Sequence, residues 1–262
     1  MIYCFSIGKF LCYFFCPPID SALVLCYTNI DKKGTRKERI GVFVLKITTK
    51  DVSLVNPPSY ETVLMTFNTA ARNCYQSLND KTDNIESAEA LARKLIAIGH
   101  GSPIEMNNIT FRFVGDRNFL AQLSRHRLLS LAVESARYCN YSKGKFNHSV
   151  SFVKPLGIVT EEQEKIWEES CKKSEEDYFK LLDAGCRPET ARSVLNTSLA
   201  THIIASGNIR EWRHVIELRC DTHAQDDIRA LITTALKLLY EHYPVFFEDL
   251  YAKYCKMDVK AN

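Results

Sequence analysis

"NIREWRHVIELRCDTHAQDDIR" (residues 208–229) decides how this chain folds. Asn208 suits an N-cap, and Trp212, Ile216, Arg219 and His223 follow at steps of four, three and four. That spacing is one stripe of a helix, and its first half faces a core. The helical pattern continues to residue 243, with a break expected near Asp221. Just before it, "TSLATHIIAS" (residues 197–206) has strand composition. A stripe that turns from tryptophan to arginine needs a reason, because a buried guanidinium is costly unless paired. One reading is an internal salt bridge from Arg219 to Glu189 or Glu217. The other is an arginine aimed into a cavity that holds an anionic or carbonyl-rich ligand.

Working outward, "IGVFVLKIT" (residues 40–48) reads as a strand and "NPPS" (residues 56–59) as a break. From Tyr60, Val63, Leu64, Phe67, Ala70, Ala71 and Cys74 recur at helical spacing. A second helix is predicted from about Ser87, with Ala88, Leu91, Leu95 and Ile98 inward and Gly99 as its stop. Pro103 and its neighbouring glycines make a turn, after which Ile109, Phe111 and Phe113 alternate with Thr110 and Arg112 as a half-buried strand. "DRNFLAQLSRHRLL" (residues 116–129) is helical, with Gln122 and Arg125 on one face. Residues 130–145 read as an ordered loop and "HSVSFVKP" (residues 148–155) as strand-like. Residues 161–184 form an amphipathic helix closed by Gly185, and "RPETARSVL" (residues 187–195) a short helix with Pro188 in its first turn. Strands and helices mix without regular βαβ alternation. The predicted class is α+β, a mixed sheet packed with long helices.

Composition narrows the function. The chain has 262 residues, 46% hydrophobic and 25% charged, as a folded globular protein does. Its net charge of +3 is carried by "DKKGTRKERI" (residues 31–40), which has five basic and two acidic residues and reads as a solvated linker. The remainder is neutral, which disfavours a nucleic-acid binder. Ten cysteines include no CxxC pair, so neither a zinc site nor a disulfide framework is readable, and reduced thiols fit the cytoplasm. The apolar start "MIYCFSIGKFLCYFFCPP" is too short to span a bilayer and lacks a basic n-region. It reads as an extension, with a signal or anchor as the alternative. The expected division is an extension over residues 1–42 and one domain over residues 43–262.

"RHRLLSLAVESARY" (residues 125–138) crowds ionisable groups among leucines, so they face either water, as a lone basic triplet usually does, or a ligand. Arginines, a hydroxyl and backbone N–H groups are the usual phosphate-binding kit. Arg125-His126-Arg127, seven residues, then Ser135 resembles the signature of the flavin-dependent thymidylate synthases. "AARNCY" (residues 70–75) is similar to that family's first-helix end. "GHGSPIEMNNITFRF" (residues 99–113) resembles its Gly-His turn and following strand, and residues 208–229 resemble its C-terminal helix. The resemblance covers about residues 44–250 in consistent order.

The resemblance implies methylation of deoxyuridylate (dUMP) to thymidylate (dTMP), with methylenetetrahydrofolate as carbon donor, FAD as cofactor and NADPH as reductant. It implies a homotetramer whose active sites are each built from several subunits. It assigns catalytic roles to Arg219, Ser135 and His100. Flavin would be held by Ser102, Glu105, Arg125, His126, Arg127, Val133, Asn208, Ile209, Arg210 and His214. The nucleotide would be held by Gln122, Arg125, Ser135, Ala136, Arg137, Tyr138, Arg192 and Arg219, with no metal. The chain departs from the family where Ala132-Val133 replaces Asn-Glu, with Glu134 one place late, and where Met106 replaces a histidine. The alternative reading is a catalytically weakened homo-oligomer that still binds flavin or nucleotide.

Overall fold

The computed structural model describes residues 24–30, 36–42, 45–79 and 82–255. The apolar segment read as an extension lies outside them. The chain divides between Lys46 and Ile47 into two units. In the first, β1 (Val24–Ile30) and β2 (Arg36–Val42) pair antiparallel, from Val24 opposite Val42 to Ile30 opposite Arg36. Residues 36–40, expected in a solvated linker, therefore belong to a strand, while residues 31–35 lie outside the described residues. The single strand predicted over 40–48 is two: β2 ends at Val42, and β3 is Lys46–Ile47.

The second unit opens with β4 (Asp51–Leu54), too short to show an alternation in the sequence. Then come α1 (Tyr60–Asn73), α2 (Ile85–Ala97), β5 (Asn108–Gly115), α3 (Arg117–Leu123) and β6 (Ser130–Val133). They are followed by β7 (Ser151–Phe152), α4 (Glu161–Asp183), α5 (Pro188–Ala191) and β8 (Thr201–Asn208). The described chain closes with α6 (Ile209–Arg219), α7 (Asp226–His242) and α8 (Pro244–Tyr254).

Four strands form a sheet in the order β4-β5-β8-β6, and each pairing is antiparallel rather than mixed. Alternation puts Ile109, Phe111, Phe113, Ile203 and Ala205 on one face, all fully buried. On the other face the opposed Thr110 and Ser206 share a hydroxyl bond of 2.9 Å. The buried face packs with residues of α1, α2, α6, α7 and α8 into one core, so the α+β class holds. Trp212 is fully buried and donates its indole N–H to the Ile109 carbonyl at 2.9 Å. Hiding ~200 Å² of a tryptophan is worth about 5 kcal/mol, provided the indole N–H finds a partner, as it does.

Local chemistry sets the element ends. The Asn84 side chain accepts from the Ser87 N–H at 2.9 Å, so α2 begins earlier than predicted. Ile98 falls beyond its last turn and is 67% exposed, while Ala92 takes the buried place expected of it. Gly99 then has φ +74°, the left-handed stop that only glycine adopts without strain. Thr160 and Gln163 close a capping box on α4. Gly207 is closely packed: a Cβ there would sit 2.5 Å from Leu129 Cδ2, so that methyl would have to shift.

Candidate active site

α3 is shorter than predicted and stops at Leu123, so Arg125-His126-Arg127 sits in a tight turn rather than on a helix. The His126 N–H donates to the Leu123 carbonyl, and the Leu129 N–H to that of His126, each at 3.1 Å. The turn alternates exposure: Arg125 and Arg127 face out, and His126 is buried. Arg219, the last residue of α6, reaches this turn. Its Nε donates to His126 Nε2 at 2.9 Å and its Nη2 to the Gln122 carbonyl at 3.2 Å. Neither Glu189 nor Glu217 pairs with it, and no carboxylate among the described residues does. To accept from Arg219, His126 must be neutral at Nε2. Burial drives its pKa down to about 4, helped by the charges of Arg219 and His214. The His214 ring stands edge-on to His126 at 5.9 Å. The Gln122 side chain is turned to Gln225 at 2.6 Å. His223, expected on the inward stripe, lies past the helix end and pairs with Asp221 at 2.6 Å in solvent.

A second group gathers at the start of α6. Ser102 and Glu105 lie on the short 3-10 helix Ser102–Glu105, and Glu105 pairs with Arg210 at 2.5 Å. Gly101 lets this arginine approach, since a Cβ there would meet Arg210 Nε at 3.0 Å. Asn208 caps α6 through the Glu211 N–H at 2.8 Å, and Ile209 is fully buried in the core. His100 is half-buried beside Gly99.

A third group follows β6, the edge strand that replaces the start of the predicted loop. Ala132 is exposed, while Val133 is half-buried and packs on the core. The N–H groups of Tyr138 and Cys139 both donate to the Ser135 carbonyl, at 3.0 and 2.9 Å, and Ala136 is buried inside that turn. Arg137 and Tyr138 are exposed, with the guanidinium 5.6 Å from the ring centroid. Glu189 organises this group: it meets Arg187 at 2.6 Å and Arg137 at 3.6 Å, and its carbonyl accepts from Arg192 Nε at 3.2 Å. Sequence reasoning missed Arg187 and misplaced Glu189, whose position beside Pro188 in a helix start was the available signal.

Among the described residues no hydrogen bond or ion pair joins the Arg137 group to the Arg219 group. A cavity of about 1230 Å³ opens beside Ser102 and Pro103 between α1 and the start of α2, with Thr66, Asn73 and Ile85 in its wall. It brings the carboxylates of Glu61 and Asp83 but no arginine. Among the described residues no cluster of three or more His, Cys, Asp or Glu could hold a metal ion.

A family model described as thymidylate synthase complementing protein matches residues 61–245. The flavin-dependent thymidylate synthase of Geobacter sulfurreducens is 33% identical over 186 residues, covering 69% of this chain and 78% of that protein. A probable flavin-dependent thymidylate synthase of Mycobacterium phage D29 is 29% identical over 189 residues, covering 69% and 80%. The crystal structure of a UMP/dUMP methylase PolB from Streptomyces cacaoi, bound with 5-Br dUMP, superposes with a TM-score of 0.67 at 23% identity. That likeness covers 80% of this chain and 98% of the other, and concerns the fold. The matched span contains the Arg-His-Arg turn, the Ser135 loop and α6, and on these grounds the chain belongs to the family of thymidylate synthase complementing proteins, the flavin-dependent thymidylate synthases.

Proposed function

We propose that this chain is a methyltransferase that converts dUMP to dTMP, with FAD as cofactor and methylenetetrahydrofolate and NADPH as co-substrates. One observation carries the reading: Arg219 points inward, is held by a neutral histidine and a carbonyl, and among the described residues has no carboxylate to cancel its charge. Such a cation suits an electron-rich ring. Set against the uracil carbonyl edge, it stabilises the ionised pyrimidine and raises the nucleophilicity of carbon five. Arg137 and Arg192, with Ser135, suit the nucleotide phosphate. Arg137 is only loosely engaged at 3.6 Å, so it can turn to a phosphate while Arg187 keeps Glu189 neutralised.

The residues present also fit FAD. Arg125 and Arg127 are exposed and, among the described residues, lack a carboxylate partner, as a diphosphate requires. Ser102, Arg210 and His214 are exposed on or beside α6 to complete its site. When bound, FAD supplies the hydride that completes the methyl group. His100 and Tyr138 would border flavin and folate.

The separation of the Arg137 group from the Arg219 group supports a site completed by other subunits of a homotetramer. We place the catalytic domain at residues 43–262, with residues 1–42 outside it, and assign the protein to the cytoplasm. Cys74, Cys139, Cys171, Cys186 and Cys220 are free thiols, and no helix among the described residues is long and apolar enough to cross a membrane. Ala132 and Val133 favour a second reading, a weakened enzyme that retains flavin or nucleotide binding, because neither offers the amide or carboxylate expected there. Tritium release from ring-labelled dUMP, with NADPH and folate present or omitted, separates the two. Bound yellow flavin without release supports the second, and neither flavin nor release overturns both.

A further inference from the structure

The acid next to the family's missing one has its own task. Glu134 is nearly covered, with 16% of its side chain exposed, and its carboxylate is fully engaged. One oxygen accepts from His202 Nδ1 at 2.7 Å, and the other from the Tyr141 hydroxyl at 3.1 Å. Its N–H also donates to the His202 carbonyl at 2.8 Å, which continues the β6–β8 ladder past Val133. A carboxylate only accepts, so the His202 tautomer in this pair carries its proton on Nδ1. Tyr141 is itself anchored. Its N–H donates to the Tyr178 hydroxyl at 3.4 Å, and its ring stands edge-on to Phe146 and Tyr178 at 5.0 and 5.7 Å.

Glu134 precedes the nucleotide loop and Tyr141 follows it. The one carboxylate therefore ties the entry of the loop to its exit, and both to β8. We infer that Glu134 is a positioning residue, a clamp that pre-orders residues 135–140 for the nucleotide instead of touching it. This rests on the proposed nucleotide role of Ser135 and Arg137. The physical gain is entropic. A loop whose ends are fixed has fewer conformations to lose when Ser135 and Arg137 close on a ligand, so affinity rises without a new contact. The clamp explains why Glu134 cannot replace an acid at position 133: using it as a ligand would release Tyr141 and His202.

Glu134→Ala, Tyr141→Phe and the double variant should be compared with the wild type as FAD-loaded full-length protein. Calorimetric titration of dUMP should show about tenfold or greater weakening in Glu134→Ala and about threefold in Tyr141→Phe. The double variant should be no worse than Glu134→Ala, because both changes break one linkage. FAD affinity should stay within about twofold, which a general loss of structure would not allow. Hydrogen exchange of the 135–140 amides in nucleotide-free protein should speed up in each variant. Unchanged exchange, or dUMP affinity unchanged in Glu134→Ala, overturns the clamp. Faster exchange with a wild type that binds no dUMP leaves the clamp standing and overturns the nucleotide assignment. If Glu134→Ala does not fold, Tyr141→Phe decides by the same two measurements.

Discussion

Glu175, on α4, gives a quantitative test of the packing. It is 1% exposed; one oxygen accepts from the Val150 N–H at 2.7 Å, and Oε2 has no hydrogen-bond partner among the described residues. Burial is the main reason its pKa rises from 4.5 to about 7; the Val150 N–H opposes the shift and Glu176 adds to it. A carboxyl with a raised folded pKa binds its proton more tightly when folded. Its contribution is complete below 4.5 and is lost as pH climbs through about 7. At about 1.4 kcal/mol per unit, the loss reaches about 3 kcal/mol in mild alkali. Glu175→Gln has the shape of the neutral acid and cannot ionise. Urea unfolding of both proteins at about pH 5 and about pH 8, at one protein concentration, measures the difference. The variant should gain about 3 kcal/mol on the wild type between the two conditions. A stability gap that does not change with pH would refute the placement of Glu175 in an apolar site.

Arg219→Lys keeps a charge but cannot serve His126 and the Gln122 carbonyl with one planar fork. Tritium release per folded molecule should fall by about a hundredfold or more, with FAD retention and melting temperature little changed; normal turnover with a lowered melting temperature would mean a structural arginine. His126 has the opposite pH sign to Glu175. Its folded pKa of about 4 lies below the ordinary 6.5, so its contribution is present above 6.5 and lost as pH falls toward 4. The stability gap between wild type and His126→Gln should therefore narrow on acidification, and a constant gap in urea unfolding would contradict a neutral His126. Ala132→Asn combined with Val133→Glu should tighten FAD or dUMP binding by at least about tenfold in calorimetric titration. Because Val133 packs on the core, the double variant should also melt several degrees lower; equal affinities would remove residues 128–134 from the ligand site.

The long helices were readable because burial repeats along them: Val63, Leu64 and Phe67 in α1, and Trp212 and Ile216 in α6. β6 was not. It is an edge strand of four residues, alternately exposed and half-buried, and followed by a loop without a period. α8 was missed because Pro244 reads as a breaker, yet a first helical position needs no N–H. The inward turn of Arg219 was legible from its stripe, but its partner was not. A basic triplet looks solvent-exposed in sequence, and only the tight turn after α3 separates a buried His126 from two exposed arginines. Likewise, the pairing of Glu189 with Arg137 depends on two loops meeting, which no local spacing encodes.

Gly207 makes the sheet sensitive at a distance. Leu129 Cδ2 occupies the space where a side chain at position 207 would begin, and the Leu129 N–H is bonded to the His126 carbonyl at 3.1 Å. A single methyl group added at the end of β8, with only Asn208 between it and α6, would have to push the Leu129 side chain aside. The backbone of Leu129 belongs to the turn that holds His126, and His126 in turn holds the guanidinium of Arg219. Gly207→Ala therefore asks whether the Leu129 side chain absorbs the added methyl alone or the turn beside His126 and Arg219 moves with it.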